Sequence, residues 1–299
     1  MLTVFIFPYS FAVTISHKNT FFIYRDISMN FILRFTLSVT TLLFLAISSA
    51  QAIEGAPVLT RIKESGKLTV GTSGTMPLMS EKLMTGELAG FDIDMAKALA
   101  ETMGVELELK SLPFAELIPA LESGKVDMVI SNMTMTIERN MRVAFAGPYF
   151  VSGKCMVTRE QDIANADEPD DLKEKDVSIA VVKGTTSENF VKELLPEARR
   201  AAVPNVDKGV NMVSKGEVNA FLTDFPICLS VMKRFPNSGF QSVVSLLTYE
   251  PIGIALPAND PLLVNLAENF IERADQVGLI QGLGLKWFGE AKLTLIEEK

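Results

Sequence analysis

Histidine is almost absent from this chain. Its 299 residues hold one, His17, in a stretch expected to be missing from the mature protein. Without histidine the chain lacks the commonest general base, triad member and transition-metal ligand. Ser-His-Asp hydrolysis and histidine-ligated zinc are thereby excluded. Cysteine is scarce as well: Cys155 and Cys228 are the only two, both in apolar context. They are read either as one disulfide or as two buried thiols. Basic charge is in deficit, with 28 Lys and Arg against 36 Asp and Glu and a net charge of −8. A negative surface argues against nucleic acid and anionic membranes as partners. Basic runs, low-complexity segments and the GxxxxGK[ST] spacing of a nucleotide loop are all missing, so no cofactor or metal is expected.

Long apolar runs are also few. Residues 32–47, with Arg34 near the head, are followed by Ser48-Ser49-Ala50-Gln51-Ala52. The run falls short of the roughly 20 apolar residues of a membrane span. A basic start, an apolar middle and an Ala-x-Ala end read as a secretory signal over residues 29–52, cleaved after Ala52. Residues 1–28 then precede a complete signal and read as a surplus extension from an upstream start codon. Losing residues 1–52 would remove His17, and also Lys18, Arg25 and Arg34 against one acid, Asp26. The mature chain is expected to be more negative still.

What is present is a repeat. Residues 124–132 read GKVDMVISN and residues 216–224 read GEVNAFLTD. In each, a helix stops at glycine, a buried strand follows, and the strand delivers a hydroxyl and then an amide or carboxylate. Residues 68–72 and 180–186 echo one another too, as apolar strands running into Gly-Thr. Helical periodicity over residues 93–103 and 260–277 alternates with strands, which predicts an α/β protein with mostly parallel sheets. Its 299 residues suit two lobes of ordinary size. We assign residues 53–149 and 250–299 to lobe 1 and residues 150–249 to lobe 2, with a two-strand hinge near residues 150 and 248. Ligands of open α/β sheets sit beyond the carboxyl ends of the strands, so facing lobes define a cleft.

Candidate chemistry lies at those strand ends. Ser131, Asn132 and Thr134 follow the first repeat, and Arg139 stands where a short helix begins. Arginine offers a planar fork for a carboxylate, which hydroxyls and free amides complete; Thr136 as an N-cap with Arg139 in a surface ion pair is the plainer alternative. Thr185 and Thr186 follow a glycine turn and suit an anion or an ordinary N-cap. Asp224 closes the second repeat, either as a partner for an ammonium or as the cap of a helix opened by Phe225-Pro226. Phe114 is a stacking face or part of the core, and Ser73 and Met76 are candidate pocket wall. Together, a cation fork, an anion nest and a lone carboxylate complement a zwitterion.

In order and spacing, several stretches resemble solute-binding family 3, the periplasmic receptors of polar amino-acid ABC transporters. They are Gly90-Phe91-Asp92-Ile93-Asp94, residues 117–121, 131–139 and 145–149, Gly184-Thr185-Thr186, Thr223-Asp224 and Lys286-Trp287-Phe288-Gly289. The resemblance implies the two-lobed type II periplasmic-binding-protein fold. It also implies a monomeric, non-enzymatic receptor that hands a small amino acid or carboxylate to an inner-membrane ABC permease. In it, positions matching Thr134, Arg139 and Thr185 or Thr186 hold the ligand α-carboxylate, Asp224 the α-ammonium, and Phe114 stacks. Many members carry an acid and then an aromatic where this chain has Ser73 and Met76, which points to a smaller, more apolar or non-amino-acid ligand. Two alternatives stay open. One is an enzyme similar to the cyclohexadienyl dehydratases, with Glu188 as its acid; the other is a sensing module whose output a partner supplies.

Overall fold

A computed structural model describes residues 3–7, 10–14, 56–166, 170–173, 176–243 and 248–289. The expected signal, residues 29–52, lies outside them. Within Met1–Glu54, β1 (Thr3–Phe7) and β2 (Ser10–Thr14) form an antiparallel hairpin with Thr3 opposite Thr14. The second compact unit, Gly55–Lys299, carries the two sheets described next.

The first sheet begins after α1 (Pro57–Ser65), which opens on proline and closes on the left-handed Gly66. Its strands are β3 (Lys67–Thr72), β7 (Glu106–Ser111), β8 (Met128–Val129), β9 (Ala144–Ser152) and β15 (Glu250–Leu256), in the order β7-β3-β8-β15-β9. The second holds β10 (Lys154–Thr158), β11 (Ser178–Val182), β12 (Arg199–Val203), β13 (Ala220–Asp224) and β14 (Gln241–Val243), in the order β12-β11-β13-β10-β14. In both, the first three strands run parallel and the remaining pairs antiparallel. The chain leaves the first sheet at Ser152 and enters the second at Lys154, with Gly153 between.

The repeat is a real structural echo. Its fourth residue does the same work in each copy: Asp127 Oδ2 accepts the Thr69 amide at 2.8 Å and Asn219 Oδ1 accepts the Ser178 amide at 2.7 Å. Each side chain thereby fixes the start of the neighbouring parallel strand. The strands β8 and β13 are buried throughout.

Helices pack on the sheets through apolar faces. In the first lobe α2 (Phe91–Met103) sets Phe91 against Tyr149, Phe150 and Phe288, with ring centroids 5.3–6.0 Å apart. Phe288 ends α11 (Leu279–Phe288), and Asp94 ties the same helices together by accepting from Lys286 at 2.7 Å and Trp287 Nε1 at 2.8 Å. In the second lobe Cys155 of β10 and Cys228 of α9 (Phe225–Arg234) are joined as a disulfide, their Cα atoms 6.5 Å apart. Of the two readings open for these cysteines, the structure adopts the bridge. A small sheet of β4 (Thr75–Met76), β5 (Ser80–Lys82) and β6 (Leu88–Ala89) was not foreseen, since strands this short carry no periodicity.

Candidate functional site

The last residues of the two repeats meet. Asn132 Nδ2, from the first lobe, donates to Asp224 Oδ2, from the second, at 2.8 Å. Asn132 holds a left-handed backbone with φ of 47°, a conformation asparagine tolerates better than most residues. Its amide donates to Asp92 Oδ2 at 2.7 Å, and Tyr149 donates its hydroxyl to the other Asp92 oxygen at 2.7 Å. Burial pushes the Asp92 carboxyl up to about 6, against the pull of these two hydrogen bonds. Burial likewise raises the Tyr149 phenol, as does the Asp92 charge beside it.

Asp224 occupies the N-cap position of α9, yet its side chain makes no capping bond there. It faces a lysine instead. The antiparallel register sets Lys154 directly opposite Asp224, and cross-strand neighbours of opposite charge pair readily. Lys154 Nζ reaches Asp224 Oδ1, Thr186 Oγ1 at 2.7 Å and Glu250 Oε1 at 3.2 Å. Its side chain is 0% exposed, so an ammonium with three donors has three partners and no water.

Glu250 is the other hub. Met135 N donates to Pro251 O at 2.7 Å, and Thr134 bridges to Ile252, laying residues 134–135 along β15. Thr134 and Thr186 therefore donate to Glu250 Oε2 at 2.8 and 3.0 Å, and Thr248 donates to Oε1 at 3.1 Å. Burial alone would raise this carboxyl; Lys154 and the hydroxyls of Thr134 and Thr186 outweigh it and hold it below its ordinary value.

Arg139 lies on α4 (Ile137–Asn140), whose N-cap Thr136 accepts the Arg139 amide at 3.2 Å. Thr136 is thus the N-cap, and among the described residues Arg139 forms no ion pair. Its guanidinium lies 5.5 Å from the Phe114 ring centroid and donates to Thr134 O at 2.7 Å. It also donates to Gly184 O of the other lobe at 3.2 Å. Burial lowers its pKa while Asp224 and Glu250 pull the other way; an arginine stays charged regardless. Gly184 has φ of 80°, and a Cβ there would stand 2.8 Å from Ala115 Cβ. Only glycine allows the two lobes this close approach.

Phe114, Ala115, Met133, Arg139, Gly184, Thr186 and Phe190 help line a cavity of about 520 Å³ with walls from both lobes. Thr186 joins it to the buried layer of Lys154, Glu250 and Thr134. Of the expected site residues, Phe114, Arg139 and Thr186 line the cavity, while Asn132, Thr134 and Asp224 form that layer. Four others are spent or set apart. Thr185 Oγ1 donates to Val182 O at 2.7 Å, and Ser131 Oγ accepts the Ser73 amide at 2.9 Å. Ser73 Oγ lies 3.2 Å from Ser80 Oγ, and Met76 is buried core. Lys154 and Glu250 escaped the sequence reading. Among the described residues, no cluster of His, Cys, Asp or Glu is arranged to hold a metal ion.

Residues 68–290 match the family model of the bacterial extracellular solute-binding proteins, family 3. The L-cystine-binding protein TcyJ of Escherichia coli (strain K12) is 26% identical over 253 residues, which cover 85% of this chain and 94% of that protein. The glutamine-binding protein of Geobacillus stearothermophilus is 32% identical, over 69% of this chain and 78% of its own length. Cyclohexadienyl dehydratase of Pseudomonas aeruginosa is 26% identical over 82% of this chain and 90% of that enzyme. Among solved structures, an ancestral arginine-binding protein bound to arginine superimposes with a TM-score of 0.70 at 36% identity. It covers 75% of this chain and 99% of that one.

Proposed function

Because the chain belongs to the bacterial extracellular solute-binding proteins, family 3, we propose that it is the periplasmic receptor of an ABC importer. It binds a small amino acid or related zwitterion between its lobes and delivers it to a membrane permease. The observation that carries this reading is the cavity of about 520 Å³ walled by both lobes, with Arg139 over Phe114 on one side. The guanidinium fork takes the ligand carboxylate, Phe114 stacks on the ligand body, and the carbonyl oxygen of the Asn132 side chain, beside Asp224, receives the ammonium. A ligand touching both lobes favours the closed form, because only there are all its contacts made. Closure turns on Gly153 and the strand opening at Glu250, with the sheet of β3, β7, β8, β9 and β15 in one lobe and the sheet of β10 to β14 in the other, so the boundary expected at residue 150 moves to Gly153. The signal at residues 29–52 exports the chain, which acts as a monomer.

Glu188 supports binding over catalysis. Its Oε2 accepts the Gly184 amide at 2.8 Å and its Oε1 lies 3.8 Å from Arg200 Nε, so the acid is committed to the turn. Calorimetric titration with amino acids, beside an assay of prephenate turnover, tests the proposal. We expect binding without turnover, and Arg139→Ala should weaken it by about 2–4 kcal/mol, the cost of breaking a buried charged contact. Unchanged affinity in that variant, or turnover of prephenate, would overturn the reading.

A further inference from the structure

Charge in the cleft is balanced from within. Two carboxylates, Asp224 and Glu250, meet two cations, Lys154 and Arg139, and Arg139 feels both acids. Lys154 is the unusual member. It is wholly buried, it spends every donor on Asp224, Glu250 and Thr186, and it stands where the carboxylate of the second repeat would otherwise meet a ligand cation. Without it, Asp224 and Glu250 would outnumber Arg139 and the cleft would carry a net negative charge suited to a cationic ligand. Three more charged groups line the cavity and are exposed at its rim: Glu138, which also acts on Arg139, Arg142, which pairs with Glu122, and Glu193. Asp92 lies behind Asn132 in the first turn of α2, bound to Tyr149 and the Asn132 amide.

Among the described residues of this cleft layer, one buried acceptor is left over. Asn132 Oδ1, on a residue 2% exposed, has no hydrogen-bond partner. The amide orientation is dictated by Asp224, which requires Nδ2 toward it, so Oδ1 is the acceptor offered beside that carboxylate. A neutral oxygen there can receive one ammonium N–H without adding charge, and an orphaned buried acceptor calls for such a donor.

We propose that Lys154 determines the charge class of the ligand. Its ammonium fills the cation place on Asp224 and Glu250, and the balanced cleft accepts solutes of zero net charge while rejecting arginine- and lysine-type ligands. The proposal rests on the receptor reading above. A second ligand cation would find Asp224 and Glu250 already paired with Lys154, where an uncompensated buried charge is costly. It would have only the exposed rim acids Glu138 and Glu193, in water, where an ion pair is worth little.

The test is calorimetric titration of the purified full chain with L-alanine, L-glutamine, L-glutamate, L-arginine and L-lysine. The neutral zwitterions should bind roughly a hundredfold more tightly than arginine or lysine, the scale of a desolvated charge pair. Lys154→Met should gain arginine binding by a similar factor, whereas the double variant Lys154→Met/Glu250→Gln, again balanced, should gain none. Arginine binding in the wild type within about tenfold of the best neutral amino acid would overturn the charge selection alone. So would a Lys154→Met variant with unchanged preference. Should that variant not fold, the wild-type ranking decides. Binding of no amino acid at all would overturn the receptor reading, and the charge selection with it.

Discussion

Asp92 is a buried carboxylate that holds the cleft residue Asn132 in place, and replacing it with asparagine exposes the cost of its charge. An aspartate ordinarily titrates at 3.8, and burial carries Asp92 to about 6 in the fold. Below about pH 4 both folded and unfolded chains hold the proton, and the fold bears no penalty. As pH rises the unfolded chain ionises first, so stability falls until the folded group has also ionised, above about pH 6. The full loss is about 3 kcal/mol, from 1.36 kcal/mol per pKa unit. Asp92→Asn keeps the shape, and Tyr149 can turn its proton away from the new amide. Urea denaturation of both proteins between pH 4 and 7.5 gives the comparison, in which every other titrating group cancels. The stability of the wild type relative to Asp92→Asn should fall by about 3 kcal/mol across that range. A flat difference, or one that rises with pH, would refute the reasoning, because it would mean that the hydrogen bonds from Tyr149 and Asn132 outweigh burial.

Two further outcomes follow from the geometry. The Cys155–Cys228 bridge closes a loop with a sequence separation of 73, so replacing both cysteines with alanine should cost about 4 kcal/mol by the chain-entropy relation. Urea melts read this, and a loss under about 1 kcal/mol would contradict it. Gly184→Val places a Cβ against Ala115 in a left-handed backbone, so the lobes cannot close as they do here. Ligand affinity should drop by about tenfold or more while the fold persists, since the strain itself is only about 1–2 kcal/mol; titration with unchanged affinity would contradict it.

The legible part of the site is the part that follows strand ends. Arg139, Thr186 and Phe114 could be picked out because a fork, a hydroxyl and an aromatic after buried strands are unusual company, and all three line the cavity. The repeat foretold that Asn132 and Asp224 point at one place, and they hydrogen-bond each other. Thr185 and Ser131 looked the same on paper, but the Thr185 hydroxyl donates to the nearby Val182 carbonyl, and Ser131 Oγ accepts the amide of Ser73 on a different strand end. The first is a local bond that depends on rotamer and the second a long-range one, and neither can be read from residue type. Lys154 was illegible for a different reason. Every residue of β10 is buried, so alternation gave no face, and only the register with β13 reveals that the lysine stands opposite Asp224. Glu250, at the head of β15, needed the same long-range pairing to become visible. The helices were plain from their periodicity and glycine stops, as with α1 and Gly66.

The most direct test of the receptor account is a thermal-shift screen of the purified chain against neutral, cationic and anionic amino acids, small carboxylates and prephenate. A true ligand at about 1,000 times its dissociation constant adds roughly 4 kcal/mol to the folded state, an easily read rise in melting temperature. The account predicts a shift with at least one amino acid, abolished or sharply reduced by Arg139→Ala. If no amino acid moves the melting temperature, or if the shift survives that substitution intact, the cleft is not the binding site described here.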